Sequence, residues 1–183
     1  MTILHIDTSI NGDNSASRQI TKSLVDQLKG SRWGEEVVYR DLAANPLPHL
    51  TLDQFADSSV LDEFFAADTI VIGAPMYNFT LPSQLKAWID RIVIAGKTFQ
   101  YGANGPVGLA KGKRVIIALA RGGFYNEGSP AAGFEFLERY LTAVFNFIGI
   151  QPEFVAADGL AIGPEQRDES IKLALGETVR LAA

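Results

Sequence analysis

Cysteine is absent from the 183 residues. That absence excludes disulfides, thiolate zinc sites and cysteine nucleophiles. Histidine occurs twice. His5 lies inside an apolar run and reads as a packing residue. His49 follows two prolines, and neither histidine is expected to be catalytic. No metal site is expected. A basic stripe is also missing: 16 Lys and Arg face 21 Asp and Glu, the signs are interspersed and the formal charge is −5, so nucleic acid is not an expected partner. Long apolar runs are lacking too. The longest uncharged stretch, Thr69 to Leu85, is interrupted by Gly73, Pro75, Asn78 and Pro82, and no membrane span is expected from it. The first residues, MTILHIDTS, have no basic region and meet Asp7 early, unlike a secretory leader; a cytoplasmic location is the expectation. No repeat or low-complexity tract appears. One domain, 1–183, suits this length, which buries roughly 70% of the unfolded surface without staples.

What is present is alternation. Five β-rich runs occur at 2–7, 36–42, 69–74, 114–120 and 152–160. The first, third and fourth are nearly continuous apolar runs, as when both sheet faces are covered. Between them lie helical stripes: Ile20, Leu24, Val25 and Leu28; then Leu85, Trp88, Ile89, Ile92 and Val93; then Leu137, Tyr140, Leu141, Val144, Phe145 and Ile148, closing at Gly149. Residues from Pro164 onward read as a last helix, and residues 43–68 leave room for one short helix. Strand–helix alternation predicts an α/β fold with parallel strands and helices on both faces. Five strands suit a flavodoxin-like three-layer sandwich, with the order 2-1-3-4-5 adopted by analogy.

In such a sheet ligands bind at the carboxyl ends of the strands. The first strand is followed by a hydroxyl-rich loop containing Ser9, Ser15, Ala16 and Ser17, with Arg18 nearby. A helix N-terminus there would suit a phosphate; the same loop also reads as ordinary capping by Asn14 or Ser15. Neither a GxGxxG nor a P-loop pattern is present. The third strand leads into Pro75-Met76-Tyr77-Asn78-Phe79, an apolar bed with one amide that could fix the edge of a planar ring. The fourth leads into Ala120-Arg121-Gly122-Gly123-Phe124-Tyr125, where paired glycines permit close backbone approach. Arg121 reads either as a charge for a reduced ring or an NAD(P)H phosphate, or as a solvated surface residue. Phosphate, planar ring and close backbone together point to flavin mononucleotide. Asp7 and Asp158 also sit near strand ends, but Ala74-Pro75 closing the third strand does not suit a phosphoaspartate receiver.

Ser9, Ser15-Ala16-Ser17, Ala74 to Phe79 and Arg121-Gly122-Gly123 together resemble the FMN-dependent NADH:azoreductases of the flavodoxin-like quinone reductase superfamily. RDLAANPLP (40–48), QLKAWID (84–90), GPVGLAKGK (105–113), FIGI (147–150) and GPE (163–165) are similar too, so the resemblance spans nearly the whole chain. It implies a homodimer with one FMN per subunit at its interface. It also implies ping-pong chemistry, in which NADH or NADPH reduces the flavin before a quinone or azo compound is reduced. By the resemblance, Ser9, Ser15, Ala16 and Ser17 hold the phosphate, and Pro75 with Met76 to Phe79 forms the ring bed. Ala120, Arg121, Gly122 and Gly123 border the other ring edge, with Asn78, Gly122 and Gly123 as electrostatic support. Phe99 and Tyr101 reach the partner's site, with Phe124 and Tyr125 in the substrate pocket. Two departures stand out. Ala16 occupies a position where the family often has Gln, leaving a backbone contact only. Residues 49–60 are shorter than in the family. Phe134, Phe136 and Phe147 lie off the stripe of a helix expected over 134–148, and a second subunit is expected to cover them. The competing reading is a flavodoxin-type carrier passing single electrons; a third is a flavin-free domain whose loop aromatics serve packing.

Overall fold

The computed structural model describes residues 1–30 and 35–182. The chain runs β1 (Thr2–Asp7), α1 (Ala16–Gly30), β2 (Glu36–Asp41), α2 (Ser59–Ala66), β3 (Thr69–Pro75), α3 (Ser83–Ile92), β4 (Phe99–Gly102), β5 (Gly105–Gly108), β6 (Arg114–Ala120), α4 (Leu137–Phe147), β7 (Glu153–Ala157) and α5 (Pro164–Ala182). Strands β2-β1-β3-β6-β7 form one sheet in that order, and every pairing in it is parallel.

Side-chain alternation explains the layers, because successive strand residues face opposite sides. Ile3, Val71, Ile116, Ala118 and Val155 pack with Ile20, Leu24 and Leu28 of α1 and Ala174 and Leu181 of α5. Leu4, Ile6, Ile70, Ile72, Ile117 and Leu119 pack on the other face with Phe64, Trp88 and Phe145 from α2, α3 and α4. Edge strand β2 is only partly buried.

Three points differ from the sequence expectation. First, β4 and β5 form an antiparallel hairpin outside the sheet, so the main-sheet order in chain numbering is not 2-1-3-4-5. Gly102 pairs with Gly105 around Ala103-Asn104, and Gly105 takes a left-handed φ of 111°, which its missing Cβ permits. Second, α4 begins at Leu137, not at residue 134: Phe134 ends a short 3-10 turn and Phe136 is the N-cap. Third, Phe147 packs on the core and against Phe99, with ring centroids 4.5 Å apart, so it is partly covered within its own chain. Gly149 does close α4. Its φ is 93°, and the amides of Ile150 and Gly149 donate to the carbonyls of Phe145 and Asn146 at 2.9 and 3.0 Å, a Schellman ending.

The hairpin docks where two glycines cross. A Cβ on Gly108 would lie 2.2 Å from the Gly149 nitrogen and 2.3 Å from the Ile148 carbonyl carbon. Backbone cannot yield there as a flexible side chain would. Gly108→Ala should therefore cost about 3 kcal/mol or more in urea denaturation. Gly176→Ala is the contrast. Gly176 sits in α5 with nothing within 4 Å of its absent Cβ, and the substitution should stabilise by about 1 kcal/mol through helix propensity.

Candidate functional site

Because β1, β3 and β6 are parallel neighbours, the loops after them share one edge of the sheet. Hydrogen bonds tie them together. The Thr8 hydroxyl donates to the Gly73 carbonyl at 2.6 Å. The Ile10 amide donates to the Tyr77 hydroxyl at 3.1 Å, and the Met76 amide donates to the Ala120 carbonyl at 2.9 Å. The three sequence-predicted loops are thus brought together.

The first loop both caps and offers donors. Ser15 is the cap: its hydroxyl accepts from the Arg18 amide at 3.3 Å, and its carbonyl accepts from Gln19 at 3.2 Å. Asn14 instead ends a 3-10 turn, and its carbonyl receives Arg167 from α5. Ser9, Ser15, Ala16 and Ser17 are all buried. Ser15 and Ser17 share one hydrogen bond at 3.1 Å, and the Ser9 hydroxyl accepts from the Asn11 amide at 3.3 Å. One proton of the Ser15–Ser17 pair, the Ser9 hydroxyl proton and the amides of Ala16 and Ser17 have no acceptor among the described residues. A first helical turn with surplus donors fits an anionic oxygen cluster such as a phosphate.

Beneath this loop lies a cluster that sequence reasoning missed. Asp7 is buried and accepts from the Thr21 hydroxyl at 2.8 Å and the Tyr39 hydroxyl at 3.1 Å. His5 Nε2 lies 3.5 Å and Arg18 Nη1 3.7 Å from its oxygens. Burial works to raise the Asp7 pKa, but His5, Thr21 and Arg18 together outweigh it and hold the carboxyl below its ordinary 3.8. Burial and the adjacent Asp7 carboxylate push Tyr39 up to about 12. The sequence signal was Gly73: a Cβ there would stand 2.9 Å from Asp7 Oδ1 and 3.5 Å from Ser17 Oγ. His5, packed 4.9 Å from the Tyr39 ring, is the packing residue expected.

The second loop is a tight hairpin turn. Tyr77 and Thr80 exchange backbone hydrogen bonds at 2.9 and 3.1 Å. Asn78 and Phe79 between them have φ of 47° and 72°. Two positive φ values define a type I′ turn, in which Asn is common and Phe is strained. Phe79 is 43% exposed. It stacks on Phe134 with centroids 5.0 Å apart and meets Tyr125 edge-on at 6.3 Å. Met76 and Tyr77 are half-buried, and Pro75 is buried as the last residue of β3.

The third loop corrects one reading. Arg121 is not a solvated surface residue. It is 4% exposed and paired with Asp158 at 2.5 and 3.1 Å, Glu138 at 3.1 Å and Glu135 at 3.4 Å. Three carboxylates already compensate its charge, which is not available to balance a reduced ring or a nucleotide phosphate. The carbonyls of Arg121, Gly122 and Gly123 accept from Leu160, Ala161 and Gly159, whereas the Gly122 and Gly123 amides have no acceptor among the described residues. Phe124 packs over Gly159, whose φ is 71° and whose Cβ would meet that ring at 2.9 Å. On the hairpin, Phe99 is buried against Phe147, so its ring is taken within its own chain. Tyr101 meets the Phe99 ring edge-on at 5.6 Å and is otherwise exposed, at 76%.

Comparison with known proteins agrees with this geometry. The flavodoxin-like fold family matches residues 1–181. The FMN-dependent NADH:quinone oxidoreductase 2 of Bradyrhizobium diazoefficiens is 52% identical, and the match covers all of both chains over 201 aligned positions. That relative therefore carries residues within the matched span that the 183-residue chain lacks. Among solved structures, an azoreductase from Bacillus anthracis strain Sterne superposes with a TM-score of 0.89 at 30% identity, over all of this chain and 99% of that one. An FMN-dependent NADH-azoreductase from Bacillus anthracis strain Ames Ancestor, in complex with FMN, gives 0.85 at 27% identity over all of both chains.

Two outcomes follow from the geometry. A carboxyl whose folded pKa is depressed stabilises the fold fully above its unfolded value, and that contribution is lost as pH falls through the folded pKa. Asp7→Asn should therefore cost about 2 kcal/mol at pH 7. Its deficit against the wild type in urea midpoints should shrink below the ordinary carboxylate value of 3.8. Phe79→Gly should leave stability within about 1 kcal/mol, because relief of the left-handed strain offsets the lost ring stack. Phe64→Ala, in the buried core, should cost about 3–5 kcal/mol in the same assay.

Proposed function

The chain belongs to the flavodoxin-like fold family, and from that premise we propose that it is an FMN-dependent NADH:quinone oxidoreductase that also reduces azo compounds. The observation that carries the reading is the pairing of surplus donors at the α1 N-terminus with a strained aromatic turn on the same sheet edge. The names of the matched relatives agree with it.

Bound FMN would supply the redox chemistry, taking two electrons from NADH and delivering them to the acceptor, so that NADH, a proton and a quinone become NAD⁺ and a hydroquinone. The protein's part is binding and orientation. Ser9, Ser15 and Ser17 hydroxyls with the Ala16 and Ser17 amides receive the phosphate. Ala16, which offers no side-chain contact, serves through its backbone. Pro75, Met76, Tyr77 and Phe79 form the apolar shelf, and Asn78 offers its amide to a polar ring edge. The Gly122 and Gly123 amides, beside Ala120 and Arg121, stabilise negative charge on that edge. Arg121 acts through its backbone, its guanidinium being taken by carboxylates. The same reading includes one FMN per subunit, alternate ping-pong use of the site by NADH or NADPH and by the acceptor, and a cytoplasmic homodimer. The exposed faces of Tyr101, Phe134 and Phe136 favour a second copy beside the site, with Phe124 and Tyr125 lining the acceptor pocket.

A visible spectrum of the full chain with FMN, titrated anaerobically with NADH and then with benzoquinone, tests this. Bleaching at one NADH per flavin followed by full recovery is expected, together with parallel reciprocal plots in steady state. Recovery in two separate one-electron stages, with no NADH turnover, would favour the single-electron carrier. Failure to bind FMN would leave the loop aromatics to packing. Phe79→Gly should weaken FMN binding about tenfold, the loss of one good stacking contact.

A further inference from the structure

Arg18 stands in the third position of α1, directly behind the phosphate loop. Its five N–H groups all have acceptors. Nε and Nη2 donate to the Ser9 carbonyl at 3.3 and 2.8 Å. Nη2 and Nη1 fork onto Asp41 at 2.9 and 2.7 Å. Nη1 also donates to the Tyr39 hydroxyl at 3.1 Å. A guanidinium has five donors and no more, so none is left for a ligand. Meanwhile its own amide is the one that Ser15 caps. One residue thus ties the start of the loop, Ser9, to its end, Ser15. Asp41 is itself held, accepting from the amides of Ala43 and Ala44 at 2.9 and 3.1 Å, so the clamp is anchored on the turn after β2.

We infer that Arg18 and Asp41 are positioning residues for flavin phosphate: the ion pair fixes the Ser9 and Ser15 hydroxyls and the first α1 amides in a donor cage, and the Arg18 charge does not itself bind the anion. The inference rests on the reading of this edge as an FMN site. It makes a prediction opposite in sign to simple electrostatics. Removing the negative charge of Asp41 makes the loop more positive, which by charge alone would tighten an anion. By the clamp it loosens the cage and weakens it.

The test is fluorescence titration of the flavin-stripped full chain with FMN and with riboflavin, which lacks the phosphate, alongside thermal denaturation. Arg18→Ala should weaken FMN about twentyfold, and Arg18→Lys and Asp41→Asn about fivefold, since a bidentate fork is lost in each. Riboflavin affinity should stay within about twofold in all three. If Arg18→Ala fails to fold, Arg18→Lys and Asp41→Asn carry the test. FMN affinity unchanged or tightened in Asp41→Asn overturns the inference. So does an equal loss for both flavins, which would mark a merely structural role. A wild-type chain that binds neither flavin overturns the proposed function instead, so the two failures are distinguishable.

Discussion

A single buried carboxylate, Asp7, sets the geometry of the functional edge. A charge taken out of water is tolerated only when nearly every lone pair is met, and here the partners come from two separate elements: Thr21 and, one turn before it, Arg18 on α1, and Tyr39 on β2. Neighbouring β3 must pass with no side chain, which Gly73 provides. The requirement therefore fixes β2 and β3 on either side of β1 and seats the start of α1 above its end. The hydroxyl loop from Ser9 to Ser17 is strung between those fixed points. Its shape follows from the carboxylate below it.

How far this was legible varied by residue. The five sheet strands were legible because strands covered on both faces read as unbroken apolar runs, and Ile70-Val71-Ile72 serves both cores by simple alternation. The β4–β5 hairpin was not seen. Four-residue strands flanked by glycine carry little periodicity, although Asn104-Gly105 is a hairpin signal that could have been weighed. The residue types of the site loops were legible. Their long-range partners were not. Arg121 finds Glu135, Glu138 and Asp158 from 14 to 37 positions away, and no local pattern marks an arginine for burial. Arg18 was legible only as a charge near the phosphate loop, and nothing local marked Asp41, 23 positions away, as its partner.

Strain and unmet donors are costs in the free protein, and their location carries information. Phe79 in a left-handed conformation costs energy that a glycine would not. Donors at the α1 N-terminus that lack acceptors are costly too when buried. A loop selected only for packing has no reason to keep either. At the Arg121 side chain the opposite holds, since its guanidinium is compensated by Asp158, Glu138 and Glu135 and little of it is left for a ligand. The contrast divides the edge into a part that waits for a partner and a part that is already complete.

That division bears on how an acidic protein would hold an anion. The chain carries a formal charge of −5. At the loop Arg18 is fully engaged, and Arg167 reaches only the Asn14 carbonyl. The groups that face the proposed phosphate are neutral hydroxyls and amides. Neutral donors attract weakly at a distance and strongly in line, so affinity depends on their mutual orientation more than on net charge. The structure places the charged residues one layer back, where Asp7, Asp41 and Arg18 hold those donors at fixed angles. In this arrangement ion pairs contribute to binding through geometry, and a substitution that improves the local charge can still weaken the site.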